Sequence, residues 1–261
     1  MNSREIITSK ENQHLVDARR VRDGKTSSRI LFEGRRLATE VLRSNVSIEQ
    51  CFISDAFADE ALITQLIRVT DECYFVADKL FRSIADTDSS QGIVLITNRP
   101  KNSIGAAEPT SLHLYLHEIN NPSNLGAIFR TAEAANIAGI IISKNSADPF
   151  SAKSNRASMG SNLQVPVWEA VESDELLSWA RENDLITTAA AVSTATSYSD
   201  IDWKKGRVLV YGSEAHGLDK SFLETLDETF IIPMENGVES LNLGVSIGIT
   251  LFEAKRQREI G

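Results

Sequence analysis

The chain has 261 residues, 42% hydrophobic and 24% charged, with a net charge of −9. That length allows two modest domains with real cores or one large one, and the composition excludes a disordered or fibrous chain. No segment approaches the roughly 20 consecutive apolar residues of a membrane-spanning helix; the opening Met1-Asn2-Ser3-Arg4-Glu5 has no signal-peptide run, so a cytoplasmic protein is expected.

In the first hundred residues helical and extended patterns alternate. Residues 11–22 place Leu15, Ala18 and Val21 at helical spacing, 29–33 reads as extended, and 35–42 returns to helix with Leu37, Val41 and Leu42 as its apolar stripe. A strand over 48–53, a helix over 60–69, a short strand over 74–77, a helix near 78–85 and a buried strand over 92–96 follow. The alternation predicts a small α/β layer domain over residues 1–98. Cys51 and Cys73 lie in apolar strand-like contexts with no His or Cys at metal spacing, so reduced core thiols and no metal site are expected.

Residues 1–45 carry ten basic side chains against six acids, a local excess of four in an otherwise acidic chain. Such an excess is either a solvated surface or a docking face for RNA, with Arg19, Arg20, Arg35 and Arg36 as the candidates.

Residues 99–110, with two prolines, a glycine and no periodicity, read as a linker. Beyond it, strands are expected at 112–117, 139–143, 186–192, 207–212 and 229–232, and helices at about 123–136, 172–182, 219–226 and 240–258. Strands alternating with helices predict a mainly parallel sheet covered on both faces, making residues 111–261 the second domain.

Three segments of this half place glycines and uncharged polar groups where a strand meets a loop or helix. The first runs from Asn121-Pro122-Ser123-Asn124 through Gly126 to Arg130-Thr131. Pro122 and Ser123 signal a helix start, with Ser123 as the expected N-cap. Arg130 lies four residues after Gly126, so its stem can lie back over the glycine. An amide and a guanidinium fork at a helix start suit a phosphate or ribose, although a capped helix with an exposed Arg explains the same spacing. The second segment, Gly212-Ser213-Glu214-Ala215-His216-Gly217-Leu218, is a glycine-framed turn that admits a ligand to the backbone. It matches neither a dinucleotide fingerprint nor a P-loop, an ordinary tight turn explains it as well, and His216 reads as a turn residue.

The third segment closes a strand at Ile232-Pro233-Met234 and opens a helix near Ser240-Leu241-Asn242, with Ser240 the expected N-cap. Gly244 and Gly248, four apart on that helix, fit close packing against a neighbour. A further stretch, Lys153 and Arg156-Ala157-Ser158-Met159-Gly160 before the strand-like Leu163-Gln164-Val165, reads either as a phosphate grip or as a solvated loop.

In order and content the three segments resemble the signature motifs of the SpoU (TrmH-like) branch of the SPOUT RNA methyltransferases, over about residues 112–258. The N-terminal part, through Phe32-Glu33-Gly34 and Gln91-Gly92, is similar to the ribosomal-protein-like domain that precedes the catalytic domain in members acting on large-subunit rRNA. The resemblance implies a parallel sheet closed by a deep trefoil knot, S-adenosylmethionine as cofactor, RNA as substrate, and a homodimer with neither metal nor membrane. It implies cofactor contacts around Gly212, Gly217, Ile232, Met234 and Leu241, an active-site role for Arg130 with Asn124, Glu214, Ser240 and Asn242, and RNA contacts that include Lys153 and Arg156. Methyl transfer to a ribose 2′-hydroxyl follows, in rRNA rather than tRNA by virtue of the extra domain. The departures are Asn121, where the family commonly has Asp, and Gly244, where it commonly has a second Ser. An RNA-binding homologue without transfer activity and an α/β enzyme using a nucleotide cofactor are the competing readings.

Overall fold

The computed structural model of the protein describes residues 5–100, 105–191 and 194–259. Residues 101–104 of the expected linker, Val192 of an expected strand and Arg4 of the basic set lie outside the described residues. The chain divides into two compact units, Met1–Pro100 with Phe150–Leu163, and Lys101–Pro149 with Gln164–Gly261.

The first unit takes β1 (Ile6–Ile7), α1 (Gln13–Arg22), β2 (Arg29–Glu33), α2 (Arg35–Arg43), β3 (Ile48–Ser54), α3 (Glu60–Val69), β4 (Cys73–Val76), α4 (Asp78–Phe81) and β5 (Ile93–Asn98) in turn. Its sheet has the order β1-β4-β3-β5-β2, with β4 parallel to β1 and β3, and β5 antiparallel to β2 and β3. Asn12 caps α1 by accepting from His14 N, and Leu15, Ala18 and Val21 then bury against Phe52, Phe81 and Ile96. The helix expected near 78–85 is only the single turn α4. Past it the amides of Asp86 and Thr87 are taken by the Glu33 carboxylate instead of continuing the helix.

Cys51 and Cys73 face each other in register across β3 and β4. The Cys73 thiol hydrogen-bonded to it, together with burial, pushes the Cys51 thiol up and keeps it protonated.

The second unit starts with β6 (Leu112–Leu116), α5 (Pro122–Ala135) and β7 (Gly139–Ser143). The chain then crosses into the first unit. There α6 (Ala152–Ser158) and a 3₁₀ turn at Ser161–Leu163 replace the basic loop and the strand-like 163–165 expected from sequence. A buried polar network fixes this excursion. Ser158 Oγ donates to Asn162 Oδ1 at 2.8 Å, Asn162 Nδ2 donates to Asn155 Oδ1 at 2.7 Å, and Asn155 Nδ2 donates to the Phe150 carbonyl at 3.0 Å. Gly160, at φ +95°, lies against α2, where a Cβ would come within 2.5 Å of Glu40.

Back in the second unit come β8 (Val167–Val171), α7 (Ser173–Glu182), β9 (Ile186–Ala190), β10 (Arg207–Tyr211), α8 (Lys220–Leu223), β11 (Glu228–Phe230) and α9 (Leu243–Glu259). All pairings in this six-stranded sheet, ordered β11-β9-β10-β6-β7-β8, are parallel, as the alternation predicted. Arg207, 1% exposed, locks the edge: its guanidinium donates to Thr188 Oγ1 of β9 at 2.6 Å and to Glu228 of β11 at 2.7 Å.

Candidate active site

β6 and β10 are neighbours whose last residues, Leu116 and Tyr211, pair directly. The chain therefore leaves both strands at the same edge of the sheet, and the first and second segments emerge side by side. The third leaves β11, whose Phe230 pairs with Ala190 of β9, the other neighbour of β10. From β6 the strand order runs to β7 and β8 on one side and to β10, β9 and β11 on the other. Ligand sites of open α/β sheets form at such a switch point.

Asn121, not Ser123, caps α5: its Oδ1 accepts from Ser123 N at 2.9 Å, with Pro122 at the first helical position. Asn and Asp cap equally well, so the departure at Asn121 leaves the helix start intact. Asn124, in the first turn of α5, donates from Nδ2 to Glu214 Oε1 and joins the first segment to the second. Arg130 lies six residues further along the same helix, on a different face. It is exposed and has no ion pair or hydrogen bond among the described residues, so the single chain does not bring it to Asn124.

The second segment is a closed turn. Gly217 N donates to the Ser213 carbonyl at 2.8 Å, and His216 N to Ser213 Oγ at 3.3 Å, leaving the His216 side chain exposed. A Cβ on Gly212 would lie 2.1 Å from the Gly217 carbonyl oxygen. The two glycines make room for each other before they make room for a ligand.

Beside this turn a cavity of about 130 Å³ is lined by Tyr211, Phe230, Ile232, Met234, Ser240 and Leu241, among others. Gly212 and Gly217 shape the turn behind Tyr211 and are not among its walls. Ile232, Met234 and Leu241 make no main-chain hydrogen bond to another main-chain group among the described residues. Apolar walls with unpaired backbone donors and acceptors suit an adenosine in kind; at about 130 Å³, short of the roughly 300–1,000 Å³ of a whole small-ligand site, the cavity takes part of S-adenosylmethionine.

Ser240 does not cap α9. Asn242 does, accepting through Oδ1 from Gly244 N at 3.0 Å and Val245 N at 3.4 Å, so the helix starts at Leu243. Ser240 instead lies on the cavity wall. Gly244 and Gly248 face α5, where added Cβ atoms would lie 4.0 Å from Ile128 and 3.6 Å from Thr131.

Sequence reasoning missed Tyr211. Its hydroxyl donates to the Ser246 carbonyl at 3.1 Å and lies 2.8 Å from Thr250 Oγ1, tying β10 to α9 behind the cavity, and burial pushes its pKa up. It missed Ala190 and Ala191 on the wall too. The run Ala189-Ala190-Ala191 ending β9 was the available signal, since small residues there leave space for a ligand.

The expected RNA-binding residues all belong to the first unit. Arg19 is used internally, donating to the Lys10 carbonyl at 2.7 Å, and Arg35 pairs with Asp59 at 2.8 Å. Arg156 pairs with Asp86. Arg20, Arg36 and Lys153 are exposed without a partner among the described residues. Among those residues no group of His, Cys, Asp or Glu is placed to hold a metal ion, and no helix is long and apolar enough to cross a membrane.

Residues 111–252, which span β6 to α9, match the sequence profile of the SpoU rRNA methylase family. The chain belongs to that family. As a SpoU methylase it carries a second match over residues 10–95, to the MRM3-like substrate-binding domain. It is 25% identical to the 23S rRNA (guanosine(2553)-2′-O)-methyltransferase RlmP of Bacillus subtilis (strain 168), over 95% of this chain and 98% of that one. Over a shorter stretch, 61% of this chain and 64% of the relative, it is 36% identical to the 23S rRNA (guanosine-2′-O-)-methyltransferase RlmB of Xylella fastidiosa (strain Temecula1). The AdoMet-bound rRNA methyltransferase from Sinorhizobium meliloti superposes on this SpoU methylase with a TM-score of 0.86 at 28% identity, covering 97% of both chains.

Proposed function

We propose that the protein is an S-adenosylmethionine-dependent methyltransferase acting on a ribose 2′-hydroxyl of 23S rRNA in the cytoplasm. The observation that carries this reading is the meeting of all three signature segments at one sheet edge, with the Asn124–Glu214 bond beside a cavity walled by Ile232, Met234 and Leu241. The rRNA relatives that match this chain nearly end to end, substrate-binding domain included, favour rRNA over tRNA. S-adenosylmethionine, when bound, supplies the electrophilic methyl group. The chain's residues supply alignment: backbone groups around Ile232, Met234 and Leu241 hold the nucleoside, and Gly212 and Gly217 shape the turn against it. Asn124, Glu214, Ser240 and Asn242 supply polar groups at the rim.

A guanidinium is a donor and not a proton acceptor in proteins, so the role given to Arg130 is electrostatic. An unpaired guanidinium on α5 can clamp the phosphate next to the acceptor and stabilise negative charge developing on the 2′ oxygen.

A homodimer is part of the same proposal. Val245 and Phe252, 50% and 48% exposed and seven residues apart, form with Ile249 an apolar stripe on the face of α9 opposite its buried Ile247, Leu251 and Ala254. A second copy of the chain would cover it.

The test is transfer of labelled methyl from S-adenosylmethionine to unmodified rRNA and tRNA, by wild type and by Arg130→Ala. Label is expected as 2′-O-methylnucleoside in rRNA, falling about 10²- to 10³-fold in the variant, the usual loss for a transition-state donor. Label in tRNA alone would overturn the substrate assignment. Absence of S-adenosylmethionine binding would leave an RNA-binding protein without transfer activity.

A further inference from the structure

The first unit holds a cavity that methyl transfer does not use. Its volume is about 290 Å³, near the lower end of small-ligand sites at roughly 300–1,000 Å³. Leu37 of α2 and Met159, just past α6, give it apolar surface; Arg36, Arg156, Ser89 and Gln91 give it polar groups.

The segment 87–91 is held in place as a wall. The Glu33 carboxylate accepts from Asp86 N at 2.6 Å, Thr87 N at 3.0 Å and Thr87 Oγ1 at 2.6 Å. Gln91 Oε1 accepts from Arg35 N at 2.9 Å, which fixes the amide at the wall. Arg156 pairs with Asp86 through one arm of its fork, and Arg36 has no partner among the described residues. Apolar contact from a polarisable thioether, an amide edge and an uncommitted guanidinium, which can clamp a phosphate or lie flat on a base, suit an unstacked nucleotide. The space admits one nucleoside and excludes a duplex.

The composition of the wall adds a second argument. Arg36 and Gln91 lie in the stretch matching the substrate-binding domain, whereas Arg156 and Met159 lie in the stretch matching the SpoU methylase, although they pack with the first unit. The substrate-binding domain does not complete this cavity by itself. That accounts for the buried polar network that holds the excursion in place.

We propose that this cavity receives one unpaired nucleotide of the substrate RNA, its base against Leu37 and Met159 and its phosphate at Arg36. It is a recognition nucleotide rather than the methyl acceptor, since no residue of the transfer site lines it. The inference rests on the rRNA reading above and deepens it.

The chain has three methionines, Met1, Met159 and Met234, so methyl-¹³C labelling of methionine in the full-length protein reads both cavities at once. Met159 reports the proposed nucleotide site and Met234 the cofactor cavity, with Met159→Leu assigning the signal. On titration with the four 5′-mononucleotides, Met159 is expected to shift with at least one of them, and not with ribose 5-phosphate or inorganic phosphate. Arg36→Ala should abolish that shift, while Met234 still responds to S-adenosylhomocysteine, showing that the variant is folded. The same variant should raise KM for RNA about tenfold, the scale of one lost charge-assisted hydrogen bond. A Met159 signal that ignores every mononucleotide while Met234 answers the cofactor product overturns the proposal. An equal response to inorganic phosphate also overturns it, leaving a phosphate subsite without base contact. A silent Met234 beside a responding Met159 would sink the methyltransferase reading and leave the nucleotide site standing.

Discussion

His113 stands near the start of β6, 3% exposed, with its ring 5.6 Å from that of Trp168 and 5.0 Å from that of Trp179. Burial pushes its pKa down to about 4, against about 6.5 for an unfolded histidine. Between those values the unfolded chain binds a proton that the folded chain refuses. Stability is therefore intact above pH 6.5 and lost as pH falls toward 4, by up to about 3 kcal/mol. Denaturant unfolding followed from pH 7.5 to 5 should show this decline, and His113→Phe, which keeps the ring and removes the proton site, should flatten it. An unchanged pH profile in the variant would remove His113 as the source of the decline; Asp17, whose bond to Arg29 holds its pKa low, loses its contribution only at more acid pH, below the ordinary carboxylate range.

Among the elements, two glycines make opposite predictions. Gly212→Ala puts a Cβ 2.1 Å from the Gly217 carbonyl, where only backbone can give way. The turn should open and S-adenosylmethionine binding should be lost. Gly248→Ala puts its Cβ 3.6 Å from Thr131, an ordinary contact, and helix propensity should then stabilise α9 by about 0.8–1.0 kcal/mol. Isothermal titration with the cofactor and denaturant melts separate the two, and cofactor loss in both would mean that α9 must shift on binding. The same contrast shows how far the sequence could be read. Helices with an apolar stripe, such as α3 at Glu60–Val69, are legible end to end because their periodicity is local. The segment α6 was not, because its buried face is Ser154, Asn155 and Ser158, polar residues that bury only once Asn162 and the Phe150 carbonyl satisfy them. Ser123 and Ser240 looked like caps by type, yet Asn121 and Asn242 hold those places; two cap-forming residues two positions apart compete, and only backbone geometry chooses. Asn124 and Glu214 could each be singled out from their segments. Their pairing could not, because it follows from β6 and β10 being neighbours, which is a fact of strand order. The knot implied by the family resemblance has no local signature at all.

For the molecule as a whole, the charge that matters is the part left uncommitted. The sequence concentrates an excess of four positive charges in residues 1–45 of a chain whose net charge is −9. The fold then spends much of that excess on itself: Arg29 on Asp17 at 2.6 Å, Arg43 on Glu40 at 2.6 Å, Arg35 on Asp59 at 2.8 Å. Of the sequence-predicted site cations, Arg20, Arg36 and Lys153 have no ion pair among the described residues of the first unit, and Arg130 has none in the second. Each phosphate neutralised contributes about 0.7 to 0.9 to the slope of log affinity against log salt. These four cations alone predict a slope of about −3 per chain, and exposed cations outside the set, such as Arg68 and Arg82, would steepen it if they meet RNA. Filter binding of an unmodified rRNA fragment from low to physiological salt measures it. The double variant Arg36→Ala, Lys153→Ala should flatten the slope by about 1.5. A wild-type slope steeper than about −6, beyond twice four cations at the lower increment, would mean that cations outside this set also meet RNA, either exposed ones such as Arg68, Lys79 and Arg82 or arginines that leave their carboxylates to do so. Variants at Arg68 and Arg82 separate the two, since only the first case flattens the slope when they are removed.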